Sequence, residues 1–416
     1  MTFTIRPGGE ERDNRPVRRV SDRPARPAAP RRQAYAAVLL LAAAGLTAAC
    51  PRETSIDLGK PDRIADGVQL YRLTDPTLLD PPQPIAVQML RLDASRVELR
   101  SALAQGRVMQ LETVPDIAAR AKAIAAVNAG FFVVKNGDPA GVLEIGGELV
   151  SDTALTRGAV GIVRRPGKPL ALIFDRVGAS AQLRFHSQGE AFAQPIDGID
   201  TTRARGKLML YTPRFGPDSD MADTGVEWQL AGSPLTVVEK RPNAGRTPIP
   251  PDGVVLSFGG TILPTALERL DRGQAVAIER RFTTRLGTTP AQWTDAQDIV
   301  GGAGLLMLNG RAIADWTDEQ LRAGFDTERH PRTMIGTGRG GAIWLVTVDG
   351  RNPGVSAGMT FAELQRLAQQ LNLTAALNLD GGGSTTMVVK GKVVNRPSDP
   401  TGPRRVSDAL IVVGRQ

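Results

Sequence analysis

An acidic residue followed by three glycines carries the clearest chemical signal in this sequence. The segment reads Leu377-Asn378-Leu379-Asp380-Gly381-Gly382-Gly383-Ser384-Thr385-Thr386. Glycine loses extra backbone entropy on folding, so three in a row fit a place where φ is positive or where a ligand approaches the backbone. Asp380 ends an apolar run, and polar side chains crowd the turn, so it is a candidate nucleophile or base. The alternative is a tight hairpin turn that contains an Asp.

Arginines and further carboxylates recur in the C-terminal part of the chain. The segments are Arg329-His330-Pro331-Arg332-Thr333, Asp349-Gly350-Arg351, Asn395-Arg396-Pro397-Ser398-Asp399 and Arg404-Arg405-Val406-Ser407-Asp408. A guanidinium offers a planar fork of donors that suits a phosphate, and carboxylates at strand ends suit glycosidic chemistry. Each motif alone is weak evidence, because an exposed Arg or Asp usually faces solvent. A strand-end Asp beside glycines can equally form a turn or bind a cation.

Other function classes receive little support from the sequence. With only two histidines, His186 and His330, a three-His zinc site is impossible. Ser384 lacks the closing glycine of G-x-S-x-G and precedes a strand-like run, which argues against a Ser-His-Asp triad without excluding one. The segment 336–341 matches G-x-G-x-x-G, but a strand-like run follows it where a dinucleotide fingerprint needs a helix. A glycine-rich hairpin turn is the favoured interpretation.

The periodicity predicts an α+β fold, a single large domain over residues 85–416 with mixed, mostly antiparallel sheets and a few helices. Helical spacing of apolar residues is confined to residues 114–122, 266–272, 317–323 and 361–371. Glycine-containing turns predict hairpins over residues 142–150 and 159–174. The last predicted helix leads into the strand that ends at Asp380.

The N-terminal part differs in composition from the rest of the chain. Residues 1–49 are interpreted as a disordered basic leader plus a signal peptide, and residues 50–84 as a Pro-rich tether. Residues 1–35 hold nine Arg and four acids, so they account for +5 of the formal charge of +8. Because the remaining excess is small and forms no basic run, nucleic acid is not expected as a partner.

The chain's only cysteine, Cys50, ends an uncharged run that follows Arg31-Arg32. The pattern resembles a bacterial lipoprotein signal, in which the cysteine becomes the lipidated N-terminus. Thr47 departs from it, because leucine is usual three residues before the cysteine. Ordinary signal cleavage after Ala49 or an uncleaved anchor are the alternatives. All three predict export to the cell envelope, with a membrane as a partner through a lipid anchor or an uncleaved signal.

Several motifs together resemble the phosphodiester glycosidase family, in family order from about residue 85 to the C-terminus. They are Asn128-Ala129-Gly130-Phe131-Phe132, Leu210-Tyr211-Thr212-Pro213-Arg214, Gly301-Gly302-Ala303-Gly304, Pro331-Arg332-Thr333, Val348-Asp349-Gly350-Arg351, Asn378-Leu379-Asp380-Gly381-Gly382-Gly383-Ser384 and Asn395-Arg396-Pro397. The block around Asp380 is the most specific of them. Ala129 departs from the family pattern, where a second glycine is common.

The resemblance implies an exported or lipid-anchored hydrolase that cleaves a sugar-1-phosphodiester bond in an envelope or extracellular glycan. It implies Asp380 and Asp349 as catalytic residues, with Asp380 as nucleophile or as stabiliser of an oxocarbenium-like centre. Substrate-binding roles fall on Asn128, Arg332, Asn378, Ser384, Thr385, Asn395, Arg404 and Arg405. No cofactor is expected, and a requirement for a divalent cation stays open. The alternatives are a non-catalytic glycan- or exopolysaccharide-binding protein, or another glycosidase or phosphodiesterase on the same scaffold.

Overall fold

The computed structural model describes residues 56–153, 155–219 and 225–415. Residues Glu53–Gln416 cluster as one compact unit. The interpretations of residues 1–49 and of Cys50 lie outside the described residues. No helix in the described part of the chain is long and apolar enough to cross a membrane.

Most of the regular structure is β. The strands up to residue 199 are β1 (Asp62–Ala65), β2 (Val68–Leu73), β3 (Val87–Leu92), β4 (Val97–Leu103), β5 (Glu112–Thr113), β6 (Ala125–Asn128), β7 (Leu143–Ile145), β8 (Glu148–Ser151), β9 (Arg157–Val163), β10 (Ala171–Ser187), β11 (Glu190–Ile196) and β12 (Gly198–Ile199). The later strands are β13 (Leu208–Tyr211), β14 (Gly225–Ala231), β15 (Thr236–Ala244), β16 (Gly253–Phe258), β17 (Val276–Thr284), β18 (Asp298–Gly301), β19 (Leu305–Leu308), β20 (Arg311–Ala312), β21 (Arg332–Gly338), β22 (Ile343–Val348), β23 (Leu373–Asn378), β24 (Met387–Val389), β25 (Lys392–Val393), β26 (Arg405–Val406) and β27 (Asp408–Gly414).

Helices are few and short in the described residues. They are α1 (Val114–Arg120), α2 (Thr265–Glu268), α3 (Pro290–Thr294) and α4 (Phe361–Gln370). Residues 317–319 form only a 3-10 turn, so the helix predicted over 317–323 is wrong. There the helical spacing comes from side chains that pack around a turn.

The strands form four main sheets. Sheet I has the order β1-β2-β3-β22-β21-β23-β19-β20, and sheet II has the order β25-β24-β6-β27-β4. Sheet III has the order β11-β10-β9-β18-β7-β8 with β17 also on β10, and sheet IV has the order β12-β13-β16-β14-β15. A small fifth sheet pairs β26 with β5. Every named pairing except β12 with β13 is antiparallel. The α+β prediction with mostly antiparallel sheets is therefore confirmed.

Helix α4 supports the strand that leads to the candidate site. Its N-terminus is a capping box, in which Thr360 accepts from the Glu363 amide and Glu363 accepts from the Thr360 amide. The apolar face, with Phe361, Leu364 and Leu367, packs into the same hydrophobic cluster as β23 and β19. The helix thereby fixes the strand that ends just before Asp380.

The tether interpretation is wrong for residues 62–73. This segment forms β1 and β2, which extend sheet I beyond β3. Val68 and Leu70 alternate with polar residues and are buried, as are Leu78 and Leu79 in the following turn. Four of the six prolines in residues 51–84 lie in the connection from β2 to β3, and the proline content of the segment outweighed a short period-2 pattern in its sequence.

A chain shortened to begin at Pro84 is therefore expected to be insoluble or unfolded. It loses four buried aliphatic side chains, each worth about 1.5–3 kcal/mol, against a total stability of about 5–15 kcal/mol for a typical domain. Thermal unfolding monitored by circular dichroism checks this, with a chain that begins at Glu53 as the control. Equal melting temperatures for the two chains would contradict it.

Candidate functional site

Asp380 lies where the chain passes from sheet I to sheet II. Leu379, one residue earlier, still donates its amide to the Thr333 carbonyl on β21, at 2.8 Å. The Asp380 amide donates instead to the Ala129 carbonyl beyond β6, at 3.0 Å. The glycines then turn the chain, and it continues as β24 on β6. Asp380 is thus fixed at both sheets at once.

Asn128 holds this crossing in place. Its Nδ2 donates to the Asp380 carbonyl at 2.6 Å, and its Oδ1 accepts from the Thr333 hydroxyl and the Thr386 amide. The side chain is buried, with its polar atoms engaged by protein partners. Asn128 therefore holds the turn that carries Asp380, and its substrate contact stays a prediction.

A second carboxylate, Asp408, lies near the end of β6, on the strand that pairs with β6 opposite β24. It begins β27, and both of its carboxylate oxygens accept from the Gly130 amide at 3.2 Å. The Ser407 hydroxyl also donates to Asp408, at 2.8 Å. Asp408 was not among the predicted site residues. The sequence feature that could have identified Asp408 is its position shortly after Arg404-Arg405. The pairing of its strand with β6 is seen only in the structure.

Both carboxyl groups hold their protons more tightly than usual. Burial raises the pKa of Asp380 to about 6, and the charge of Asp408 adds to that rise. The Ser384 hydroxyl, the Gly381 amide and Arg404 oppose it. Burial likewise raises the pKa of Asp408 to about 6 against its hydrogen bonds. Asp380 is only partly buried, whereas Asp408 is 1% exposed, so Asp380 is the carboxylate that a ligand can reach.

Two arginines lie against the backbone of the glycine turn. A Cβ on Gly383 would overlap the guanidinium of Arg404, and a Cβ on Gly382 would press on that of Arg351. Gly382 also has a positive φ of 60°. The glycines are thus required by close approach and by conformation, as their run predicted. They leave room for guanidinium groups beside Asp380.

Arg404 and Arg405 lie in different environments. Arg404 forms a bidentate pair with Asp399, through Nε at 2.8 Å and Nη2 at 3.1 Å. Arg405 instead donates Nε to the Leu111 carbonyl at 3.0 Å, and its side chain is exposed. The substrate contact of Arg405 stays a prediction, since in the structure its side chain bonds the Leu111 carbonyl.

Positive charge accumulates around His330, next to Arg351. The Arg351 Nη2 lies 3.3 Å from His330 Nδ1. Burial lowers the pKa of His330, as do the charges of Arg332, Arg351 and Arg322, and only Glu328 counteracts them. An anion bound here would relieve repulsion among these groups. The motif that contains Arg351 does not by itself predict this role.

The Arg332 side chain bonds backbone carbonyls of neighbouring segments, and its role in phosphate binding stays a prediction. Its guanidinium donates to the carbonyls of Met359, Phe325 and Glu328, and it lies over the rings of Phe325 and Phe361. The side chain is buried, and burial lowers its pKa to about 10. It ties together the segment that carries His330.

Asp349 has a similar structural task. Its carboxylate accepts from Asn395 Nδ2 at 3.0 Å, from the Arg396 amide at 3.0 and 3.1 Å, and from Gln88. Asn395 also bonds the Thr385 carbonyl and the Met387 amide. Burial raises the pKa of Asp349 against these bonds. Asp349 and Asn395 therefore position the segment after the glycine turn, and their catalytic and substrate-binding roles stay predictions.

The remaining predicted residues are Asn378 at the end of β23 and Ser384 and Thr385 in the glycine turn. Asn378 donates Nδ2 to the carbonyls of Ala303 and Leu379. Its Oδ1 and the Thr385 hydroxyl are buried and have no hydrogen-bond partner within the described residues. Ser384 is fully buried beside Asp380. Buried polar atoms of this kind are the places where water or a ligand's polar group is needed.

The comparisons with known proteins agree with the motifs. Residues 224–413 match the family model described as phosphodiester glycosidase. A segment of 87 residues is 36% identical to N-acetylglucosamine-1-phosphodiester alpha-N-acetylglucosaminidase from Bos taurus. That match covers 20% of this chain and 16% of the bovine protein.

Two solved structures share the fold over most of the chain. A hypothetical protein from Synechocystis is 25% identical with a TM-score of 0.70, covering 86% of this chain and 64% of that one. A Burkholderia pseudomallei protein designated as exported is 25% identical with a TM-score of 0.65, covering 79% of this chain and 74% of that one. The predicted resemblance to the phosphodiester glycosidase family is confirmed by the match of that family model over residues 224–413.

Proposed function

We propose that the chain is a hydrolase that cleaves a sugar-1-phosphodiester bond in an envelope or extracellular glycan. The match to the phosphodiester glycosidase family model supports a hydrolase of this kind. One observation carries the proposal for this chain: Asp380, with its raised pKa, shares a glycine turn with the guanidinium groups of Arg351 and Arg404. A carboxylate beside Arg351 and the Asp399-paired Arg404 fits a substrate with an anomeric carbon next to a phosphate.

In the proposed reaction the bond between the anomeric carbon and the phosphodiester oxygen breaks. The bonding electron pair leaves with that oxygen, giving a phosphate monoester that is stable as an anion. A strong general acid is therefore not needed, and cations on the leaving phosphate supply most of the assistance. Arg351 and Arg404 would hold that phosphate against Gly382 and Gly383.

Asp380 would act on the sugar side, as nucleophile or as stabiliser of positive charge at the anomeric carbon. Water then supplies the hydroxyl group to that carbon and releases a proton to solvent. Asp408 would raise the proton affinity of Asp380 and fix the Gly130 backbone beside it.

A hydrolysis screen of the purified full chain against sugar-1-phosphodiesters tests the proposal. The expected products are a free sugar and a phosphate monoester. Absence of turnover on every sugar tested, combined with saturable glycan binding, would replace it with the non-catalytic alternative.

Replacing Asp408 by asparagine is expected to move the acidic limb of the pH–rate profile to lower pH. If Asp380 acts when ionised, kcat/KM should rise as the pH increases through about 6. Removing the neighbouring negative charge lowers the pKa of Asp380, so the rise should begin earlier. The measurement is kcat/KM against pH for both proteins, and an unmoved limb would contradict the role given to Asp408.

We further propose export, with Cys50 as a lipidation site that tethers the domain to a membrane. The support is the lone cysteine after an apolar run and the export designation of the Burkholderia pseudomallei neighbour. Cys50→Ala is expected to shift the expressed protein from the detergent phase to the aqueous phase in detergent partitioning. Unchanged partitioning, with a mature chain that starts elsewhere, would rule lipidation out.

A further inference from the structure

A groove far from Asp380 gathers basic side chains. It has a volume of about 390 Å³, and its lining includes Arg100, Arg164, Arg165, Lys168 and Arg415 but a single carboxylate, Glu98. Three of the cations come from the seven-residue hairpin connection between β9 and β10, residues 164–170. The remaining two come from β4 and from the end of β27. We refer to this site as the basic groove.

The backbone of the basic groove is held firmly. The Lys168 amide donates to the Arg165 carbonyl at 3.1 Å and closes the turn, while the Leu170 amide donates to Ala94 at 2.8 Å. Arg415 Nη2 donates to the Lys168 carbonyl at 2.7 Å. A pre-organised cationic surface loses less entropy when it binds an anion.

Much of its positive charge is not neutralised by neighbours. The pair of Arg165 with Asp295 spans 3.4 Å with both side chains 64% exposed, a geometry worth little in water. Within the described part of the chain, no carboxylate lies within salt-bridge distance of Lys168 or Arg415. By contrast, Arg164 pairs with the buried Asp298, and Arg100 pairs with Glu98, the carboxylate of the groove lining.

The residues that line the basic groove indicate which kind of anionic ligand it can bind. A membrane surface would be met by exposed aliphatic or aromatic side chains, but Val97 and Leu170 in the groove are buried. Single-stranded nucleic acid is bound by aromatic stacking platforms, and the groove lining contains no aromatic residue. The ligand class that fits the groove best is therefore a flexible polymer with closely spaced anionic groups.

We propose that the basic groove binds a phosphate-rich polymer, as a subsite separate from the glycine turn. The groove and Asp408 lie at opposite ends of β27, because Gly414 pairs with Val97 and Asp408 with Leu103. Seven strand residues span about 20 Å, so one polymer engaging both places must contain several anionic repeats. This identification of the polymer with the substrate rests on the proposed function, whereas binding by the groove does not.

Binding of inorganic polyphosphate to the full chain tests the groove without turnover. The double variant Arg165→Gln/Lys168→Gln is expected to bind at least about tenfold more weakly, with a salt slope reduced by between about one and two. The matched control is Arg269→Gln/Arg272→Gln, which removes the same charge from another exposed segment and should bind normally. Equal weakening in both variants would show general electrostatics only and overturn the proposal.

Two further arms separate the outcomes. If the double variant loses binding to phosphatidylglycerol vesicles while polyphosphate binding is unchanged, the groove contacts lipid and the polymer proposal is wrong. Asp380→Asn should bind polyphosphate like the unmodified chain. If polyphosphate binds the groove but no sugar-1-phosphodiester is hydrolysed, the groove proposal holds and the proposed function is overturned. If sugar-1-phosphodiesters are hydrolysed but polyphosphate does not bind the groove, the proposed function holds and the groove proposal is overturned.

Discussion

Asp380→Asn is expected to lower the turnover of a sugar-1-phosphodiester at least about a hundredfold, which equals ~2.7 kcal/mol of transition-state stabilisation. The amide nearly preserves the shape of the side chain but removes the negative charge beside the anomeric carbon. The Gly381 amide can still donate to the remaining oxygen, as it does to Asp380 Oδ1 at 2.9 Å. Folding should therefore change little, and the loss should appear in kcat.

The comparison variant is Asp349→Asn. Its carboxylate accepts from Arg396, Asn395 and Gln88, so the change should lower thermal stability and affect turnover indirectly. Near-normal turnover for Asp380→Asn, together with abolished turnover in a stable Asp349→Asn protein, would reverse the two assignments.

Glu319→Ala is expected to lower the free energy of unfolding by about 3–5 kcal/mol. Glu319 is fully buried and accepts from the amides of Gly158, Gly304 and Leu305, at 3.0, 2.7 and 3.1 Å. The Arg176 Nε also donates to it, at 3.0 Å. Alanine would leave these four donors buried without an acceptor.

Chemical denaturation measures this effect, with Glu239→Ala as the control. Glu239 is 58% exposed and lies 3.8 Å from Arg241, so its loss should cost less than about 1 kcal/mol. Comparable destabilisation by the two substitutions would contradict the role assigned to Glu319. Because Asn378 donates to the Ala303 carbonyl next to Gly304, a loosened β19 should also disturb the strand before Asp380.

The sequence was sufficient to predict the features that depend on local pattern. The helix over residues 361–371, the hairpins around Gly146-Gly147 and Pro166-Gly167, and the turn at residues 336–341 all follow from periodicity and glycine placement. The functional importance of the glycine run also has a physical basis in the structure, because guanidinium groups lie against Gly382 and Gly383.

What could not be predicted depends on where long-range contacts direct a side chain. Arg332 and Asp349 stand in motif positions, yet burial turns the first toward backbone carbonyls and the second toward Asn395 and Arg396. Asp408 and Arg351 lie beside the turn because sheets I and II meet there, a junction that sequence spacing does not reveal. Strands β1 and β2 were not predicted because the six prolines of residues 51–84 favoured a tether for the whole segment.

Hydrolysis in oxygen-18-labelled water tests the central claim most directly. If the chain cleaves the bond at the anomeric carbon, the label must enter the hydroxyl group of the released sugar, and mass spectrometry will find none in the phosphate monoester. This is the result expected for a carboxylate acting at the sugar and arginines holding the leaving phosphate. Label in the phosphate would mean attack at phosphorus, which would contradict a glycosidase and make the chain a phosphodiesterase on the same scaffold.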